Sequence, residues 1–232
     1  MEHELCGYQQ ILRRAKFMAT MLERKKLYID DNLFVGSMAS TVNGIYTYPE
    51  GNVDRMKEEK TIEKSKTPED RKANEWALNY WDKRSLRPRT LEVFEKRYGF
   101  DPRPAYDAGL IAEFFSWPGG GGNLDYPRVY NEGLASMINE VEERQMSLEM
   151  RLPNASMYFY EAALITMRAV IGLSRRYAEL ALEMAAKEKD ATRKDELLAI
   201  AETCEWVPEN PARNLREAMQ VQFFGACWQR PL

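Results

Sequence analysis

Apolar residues recur at spacings of three and four through most of this chain, the period of helices with one buried face. Between Tyr8 and Leu27, positions Ile11, Leu12, Ala15, Met18, Ala19 and Leu22 predict an amphipathic helix with Arg13, Arg14, Lys16, Arg24 and Lys25 on its wet side. Asp30 to Ser37 reads as a turn followed by a short extended stretch with a glycine near its end. Asn43-Gly44 and Tyr48-Pro49-Glu50-Gly51 mark loops. Thr67-Pro68-Glu69-Asp70 places a capping hydroxyl, a first-position proline and two acids at the positive end of a helix dipole, predicting a helix to about Trp81. Leu91 to Tyr98 predicts a short helix stopped at Gly99, and Asp101-Pro102-Arg103-Pro104 an extended spacer. The apolar run Leu110 to Trp117 and the glycine-rich Pro118-Gly119-Gly120-Gly121-Gly122 follow.

From Pro127 the pattern is nearly all helical. One helix is predicted to about Met150, on Val129, Leu134, Ile138 and Val141, and a longer one from Asn154 to Lys189, on Tyr160, Leu164, Met167, Ile171, Ala178 and Ala181. Asp190 caps the next, which runs toward Trp206 and is broken by Pro208 and Pro211. Short links between such helices favour antiparallel packing. The last helix opens at Asn214, with Glu217 placed as in a capping box. Its apolar residues Leu215, Ala218, Met219, Val221, Phe223 and Phe224 crowd more than one face, and a helix apolar on most sides is buried on most sides. Left exposed, such a surface invites aggregation. The run therefore predicts a core helix whose cover lies beyond this sequence, so the chain reads as the N-terminal piece of a larger protein.

Composition narrows the chemistry. With 232 residues, 44% hydrophobic and 30% charged, the chain can bury a sizeable core alone or as part of a larger one. A net charge of -3 spread over mixed-sign segments offers no stripe for nucleic acid. No apolar run is long enough to cross a bilayer, and the first residues lack the basic and apolar regions of a signal peptide, which points to the cytoplasm. Cys6, Cys204 and Cys227 are far apart without a CxxC, reading as buried thiols rather than disulfide or zinc ligands. The single histidine, His3, leaves Ser-His-Asp, Cys-His and HExxH chemistry without a partner unless His3 reaches a distant site. Gly119 to Gly122 form either a connector or a pocket wall that backbone can approach closely. With no Lys-Ser/Thr behind them they are not a phosphate cradle.

Several segments, in order, resemble the N-terminal part of the pyruvate formate-lyase-like glycyl radical enzymes. Arg13-Arg14-Ala15-Lys16 with Leu27 to Gly36 is similar to the family's "RRAKAL…I…DDELIVG", Tyr46 to Glu50 to its "PLYPE", and Tyr80 to Leu86 to its "YWKGKTL". Asp125 to Leu134 resembles "DYxxVLxxGL". Phe159 to Ala163, Arg176 to Ala181 and Pro208 to Gln220 resemble "FYEAA", "RYAELA" and "VPxNPPRTFxEALQ". The resemblance covers nearly the whole chain. It implies a mainly α fold of packed antiparallel amphipathic helices with irregular loops, residues 1–232 forming a single N-terminal domain of a larger α/β enzyme with a ten-stranded barrel. The activity implied is cleavage of a C–C, C–O or C–N/S bond by a thiyl radical, as in lyases, dehydratases, decarboxylases and formate C-acetyltransferase. The implied cofactor is a backbone glycyl radical installed anaerobically by a radical S-adenosylmethionine activating enzyme. Further implied partners are the remainder of the chain and, when complete, a second copy.

In that family the thiyl cysteine, its neighbouring acid and the radical glycine lie late in a much longer chain, so no catalytic residue is assigned here. Cys227 lacks the Gly-Cys-x-Glu context and receives no radical role. Many members carry His or Arg four positions before the Asp-Tyr pair, where it helps to bind polar substrate; this chain has Gly121. That departure implies a roomier or less polar pocket, edged by Phe115, Trp117, Gly121 and Asn123. The rival reading is a stand-alone helical binding or scaffold protein, its docking surface formed by the helices between Pro127 and Trp228.

Overall fold

The computed structural model describes residues 8–37, 51, 53–58, 60–110, 125–148 and 154–229, and among the described residues there is no strand. In chain order the helices are α1 (Gln10–Arg24), α2 (Asp54–Glu58), α3 (Pro68–Trp81), α4 (Leu86–Tyr98), α5 (Arg103–Asp107), α6 (Tyr126–Leu148), α7 (Asn154–Lys187), α8 (Ala191–Trp206) and α9 (Leu215–Gln229). They fall into two compact units, Met1–Gly44 with Asn123–Pro231, and Ile45–Gly122.

The first unit is built around α7. Its buried face carries Leu164, Met167, Val170, Ile171, Leu173, Tyr177, Ala178 and Ala181, wider than the stripe predicted, because neighbours pack on several sides of it. Helix α8 packs antiparallel to α7. Ser174 lies as far before the end of α7 as Cys204 lies after the start of α8, and the Ser174 hydroxyl reaches the carbonyls of Cys204 and Val207. Asp190 caps α8 as predicted, accepting from the Arg193 amide at 2.7 Å. Helix α1 runs parallel to α7, burying Leu12 and Ala15 with Ala162 at one end and Leu22 at the other. The Arg176 guanidinium donates there to the carbonyls of Leu22 and Lys25, the latter at 2.7 Å, satisfying acceptors that a helix end leaves open.

The second unit is drawn from short pieces. Thr67 caps α3 through the Asp70 amide at 3.0 Å with Pro68 in the first turn, as the sequence predicts. Trp76 stacks on Tyr80 and Arg84 lies over the Tyr80 ring. Arg87 pairs with Asp54, and Lys57 bridges Asp54 and Asp82. Two predictions change here and one helix is new. Helix α4 begins at Leu86 rather than Leu91, since Pro88 falls in its first turn, where no backbone donor is needed. The spacer predicted at residues 101–104 turns into α5, because the Asp101 carboxylate accepts from the Arg103 amide at 2.9 Å and nucleates a turn. Helix α2 has no counterpart in the sequence reading. The end of α4 at Gly99 is as expected, with φ 75°.

The terminal helix is covered on one side within the chain. Phe224, expected to lack cover, is only 1% exposed, packed between Tyr177 and the Gly36 backbone. Leu215, Met219 and Phe223 remain exposed.

Candidate functional site

The sequence-derived pocket residues Phe115, Trp117, Gly121 and Asn123 lie in the stretch 111–124, outside the described residues. The residues that follow show what anchors the chain beside that stretch. Asp125 starts α6: its carbonyl accepts from the Arg128 and Val129 amides at 3.1 Å, and its carboxylate is 3.3 Å from the Arg128 amide. Tyr126 stacks on Tyr130 at 5.9 Å and lays its phenol edge over Gly225, where a Cβ would sit 2.5 Å from the hydroxyl oxygen. Burial, assisted by Tyr130, pushes the Tyr126 hydroxyl up from its ordinary value, so it stays protonated.

Helix α6 is interrupted at Gly133, whose φ of 74° and ψ of 163° are not helical. The break admits the loop after α8. The amides of Leu134 and Ala135, freed by the break, donate to the carbonyls of Pro208 and Glu209 at 2.9 Å, and the Ala212 amide returns to the Tyr130 carbonyl at 2.9 Å. A Cβ on Gly133 would lie 2.4 Å from the Glu209 carbonyl oxygen and 2.6 Å from the Asn210 carbonyl carbon, so only glycine allows this approach. The Val207-Pro208 peptide is cis.

Beyond this loop, Asn214 caps α9, accepting from the Glu217 amide at 3.0 Å. The capping box is only half made, because the Glu217 carboxylate reaches past Asn214 to the Arg213 amide at 2.6 Å and the Arg213 guanidinium at 2.7 and 2.9 Å. Burial pushes the Glu217 carboxyl up, but the Arg213 bonds prevail and hold it below its ordinary value. One turn on, buried Gln220 pairs with Val35, accepting from its amide at 3.0 Å and donating to its carbonyl at 2.6 Å. The sequence reading missed the Gly133 break and the Gln220 pairing. A glycine inside an amphipathic run signalled the first; a long-range pairing has no local signal.

Burial pushes the Cys204 thiol up to about 12, leaving no thiolate at neutral pH. No cluster of His, Cys, Asp or Glu that could hold a metal occurs among the described residues. A groove of about 340 Å³ opens between α6 and α7, floored by Ile138, Ile171 and Gly172, but its rim arginines Arg168 and Arg175 are already paired with Glu142 and Glu209. These helices can position a neighbouring site. Among the described residues no helix is long and apolar enough to cross a membrane.

Comparison with known proteins places this scaffold. The family model described as pyruvate formate lyase-like matches residues 1–229. The chain is 30% identical over 223 residues to trans-4-hydroxy-L-proline dehydratase of Clostridioides difficile, which covers 91% of this chain and 28% of that enzyme. Over a shorter stretch of 109 residues it is 43% identical to isethionate sulfite-lyase of Nitratidesulfovibrio vulgaris, covering 46% of this chain and 13% of the relative. Among solved structures it superposes on the 1,2-propanediol dehydration enzyme of Roseburia inulinivorans with TM-score 0.79 and 28% identity, over 97% of this chain and 29% of that one. The chain thus spans less than a third of the length of these relatives.

Proposed function

The chain belongs to the pyruvate formate-lyase-like family, and from that premise we propose that residues 1–232 are the N-terminal domain of a cytoplasmic glycyl radical dehydratase or lyase. The observation that carries this reading is the family match over residues 1–229, combined with relatives of which this chain spans 28% and 29%. The reaction is cleavage of a C–O, C–C or C–N/S bond by a thiyl radical carried on the rest of the polypeptide. A glycyl radical, installed by an S-adenosylmethionine-dependent activating enzyme, supplies that thiyl radical. This chain's own part is to anchor one wall of the substrate pocket. Tyr126 over Gly225 and the Gly133 break support that role, since both immobilise the chain directly after Phe115, Trp117, Gly121 and Asn123.

The test is anaerobic activation. The full-length gene product, incubated with an activating enzyme and S-adenosylmethionine, gives a glycyl radical doublet by electron paramagnetic resonance, and residues 1–232 alone give none. A gene without a Gly-Cys-x-Glu segment and a radical-glycine loop beyond this region would sink the proposal.

A further inference from the structure

Residues 25–36 contain neither helix nor strand. Among the described residues, no hydrogen bond between backbone groups joins residues 26–36 to the rest of the first unit. Side chains from three different helices hold this segment instead, and each of them grips its backbone. Arg176 of α7 donates to the Lys25 carbonyl at 2.7 Å, and Arg193 of α8 donates to the Asp30 carbonyl. Gln220 of α9 takes the Val35 amide at 3.0 Å and returns a donor to its carbonyl at 2.6 Å. The clamped positions, Lys25, Asp30 and Val35, are five residues apart in the sequence.

Clamps of this kind set the path of a segment without regard to its own side chains. Two of the three are cations on carbonyls, stronger than a neutral bond. Glu196 steadies the Arg193 guanidinium at 2.6 Å. The other attachments are apolar: Val35 is buried, Leu27 and Ile29 are half-buried against the core, and Phe34 stacks on Phe223 at 5.2 Å. Ordering an irregular residue costs backbone entropy that a helix offsets with a bond per residue, and here three clamps serve the whole stretch. That places the segment at the low-stability end of its unit. The clamps also depend on one another. Leu27 and Ile29 lie between the first two and Val35 sits at the third, so water admitted under one clamp wets the contacts that hold its neighbours.

We infer that residues 25–36 form a strap that is released and refastened as one piece, opening together at Lys25, Asp30 and Val35 while α7, α8 and α9 stay folded. Release leaves slack in the chain that leads from α1 toward the unit beginning at Ile45. The strap is a property of this chain's own fold and stands apart from the function proposed above.

The Val35 amide is the natural reporter, because its acceptor, Gln220, is untouched by changes at the other two clamps. Hydrogen exchange of the full-length gene product, read by mass spectrometry with fragmentation that isolates Val35, is compared with that of Arg193→Met. Removing the Asp30 clamp is expected to speed exchange at Val35 by roughly tenfold or more, the loss of one charge-assisted bond, and to leave the amides of α7 and the body of α8 at their original protection. Clamps that act singly would leave Val35 unchanged and confine the effect to residues around Asp30, which overturns the inference. Equal acceleration through α7 and α8 overturns it too, since the variant then loosens the whole unit. Arg176→Met removes the clamp at the other end and is expected to speed Val35 in the same way. An effect of one variant on Val35 that the other does not reproduce means that the segment does not open as one piece.

Discussion

The side-chain amide of Gln220 closes on the backbone of Val35 as a second strand would, taking its N–H and returning a donor to its C=O, with Gln220 only 1% exposed. Residues 185 apart are thereby locked together, and the extended segment that leads away from α1 is fastened to the terminal helix. The arrangement explains why Gly36 is tolerated at φ 110°, with its backbone pressed on Phe223 and Phe224: the chain must pass flat over the helix to present Val35.

Replacing Gln220 with Leu keeps the volume and removes both bonds. Each orphaned backbone group of Val35 costs about 1 to 3 kcal/mol when it stays buried. Urea denaturation of Gln220→Leu is expected to show a loss within the range for two such groups. A loss below about 0.5 kcal/mol, the scale of an ordinary surface substitution, would mean that the pairing contributes little.

Two glycines make a matched pair. Gly133→Ala forces a Cβ to within 2.4 Å of backbone at Glu209, in a conformation that L side chains rarely adopt, and is expected to cost roughly 2 to 4 kcal/mol. Gly172 sits in the interior of α7, and apart from the adjacent backbone of its own helix no atom lies within 4 Å of where its Cβ would go. Gly172→Ala is expected to be neutral or to stabilise by about 0.5 to 1 kcal/mol through helix propensity. Equal effects in thermal melts would contradict the docking of the loop into the α6 break.

The sequence made the helices legible because they are long and strongly periodic. Helix α3 carries its own start signal at Thr67-Pro68, and α8 its cap at Asp190; both were placed to within a residue of their observed starts. The order of family motifs likewise led to the family that the comparison shows. What escaped were features set by distant partners. The break at Gly133 exists to admit the loop after α8, and Phe224 finds its cover in Tyr177 and Gly36, which no local pattern around either residue announces. The short helices at residues 54–58 and 103–107 escaped for the opposite reason, being too brief to develop a period. Of the candidate pocket residues, Gly121 has a signal of its own in the glycine run, while Phe115, Trp117 and Asn123 rest on the resemblance.

Acid is expected to loosen the junction before α9. The Glu217 carboxyl is held below its ordinary value in the folded state, so the folded protein binds fewer protons there than the unfolded chain does. Its contribution is full above the unfolded value near 4.5 and is lost as the pH falls below it. Denaturant midpoints measured between pH 7 and pH 3 are expected to fall less steeply for Glu217→Gln than for the unsubstituted chain, from a lower starting stability. Parallel curves would remove Glu217 from the linkage.

Cys204 is expected to resist alkylation. With its thiol pushed up to about 12 by burial, iodoacetamide at pH 8 leaves the Cys204 peptide unmodified in the folded chain and labels it fully in guanidinium. Rapid labelling under native conditions would show that α7 and α8 separate readily around Ser174.

The last expectation concerns the pocket wall. By the family resemblance Gly121 stands at a position, four before Asp125-Tyr126, expected to carry His or Arg, and Tyr126 is anchored over Gly225. If the segment from Phe115 to Tyr126 edges the substrate pocket of the complete enzyme, a side chain introduced at position 121 occupies space that glycine leaves open. It also brings a polar group into an environment edged by Phe115 and Trp117, and leaving such a group buried without a partner costs about 1 to 3 kcal/mol. Gly121→His and Gly121→Arg in the full-length enzyme are therefore expected to raise KM for a bulky or aromatic substrate by roughly 5- to 150-fold, that cost expressed as a ratio. On the same premise the segment takes no part in radical transfer, and the glycyl radical yield measured by electron paramagnetic resonance is expected to stay the same. Unchanged kinetics with a lowered melting temperature would make residues 118–122 a connector and remove Phe115, Trp117, Gly121 and Asn123 from the site.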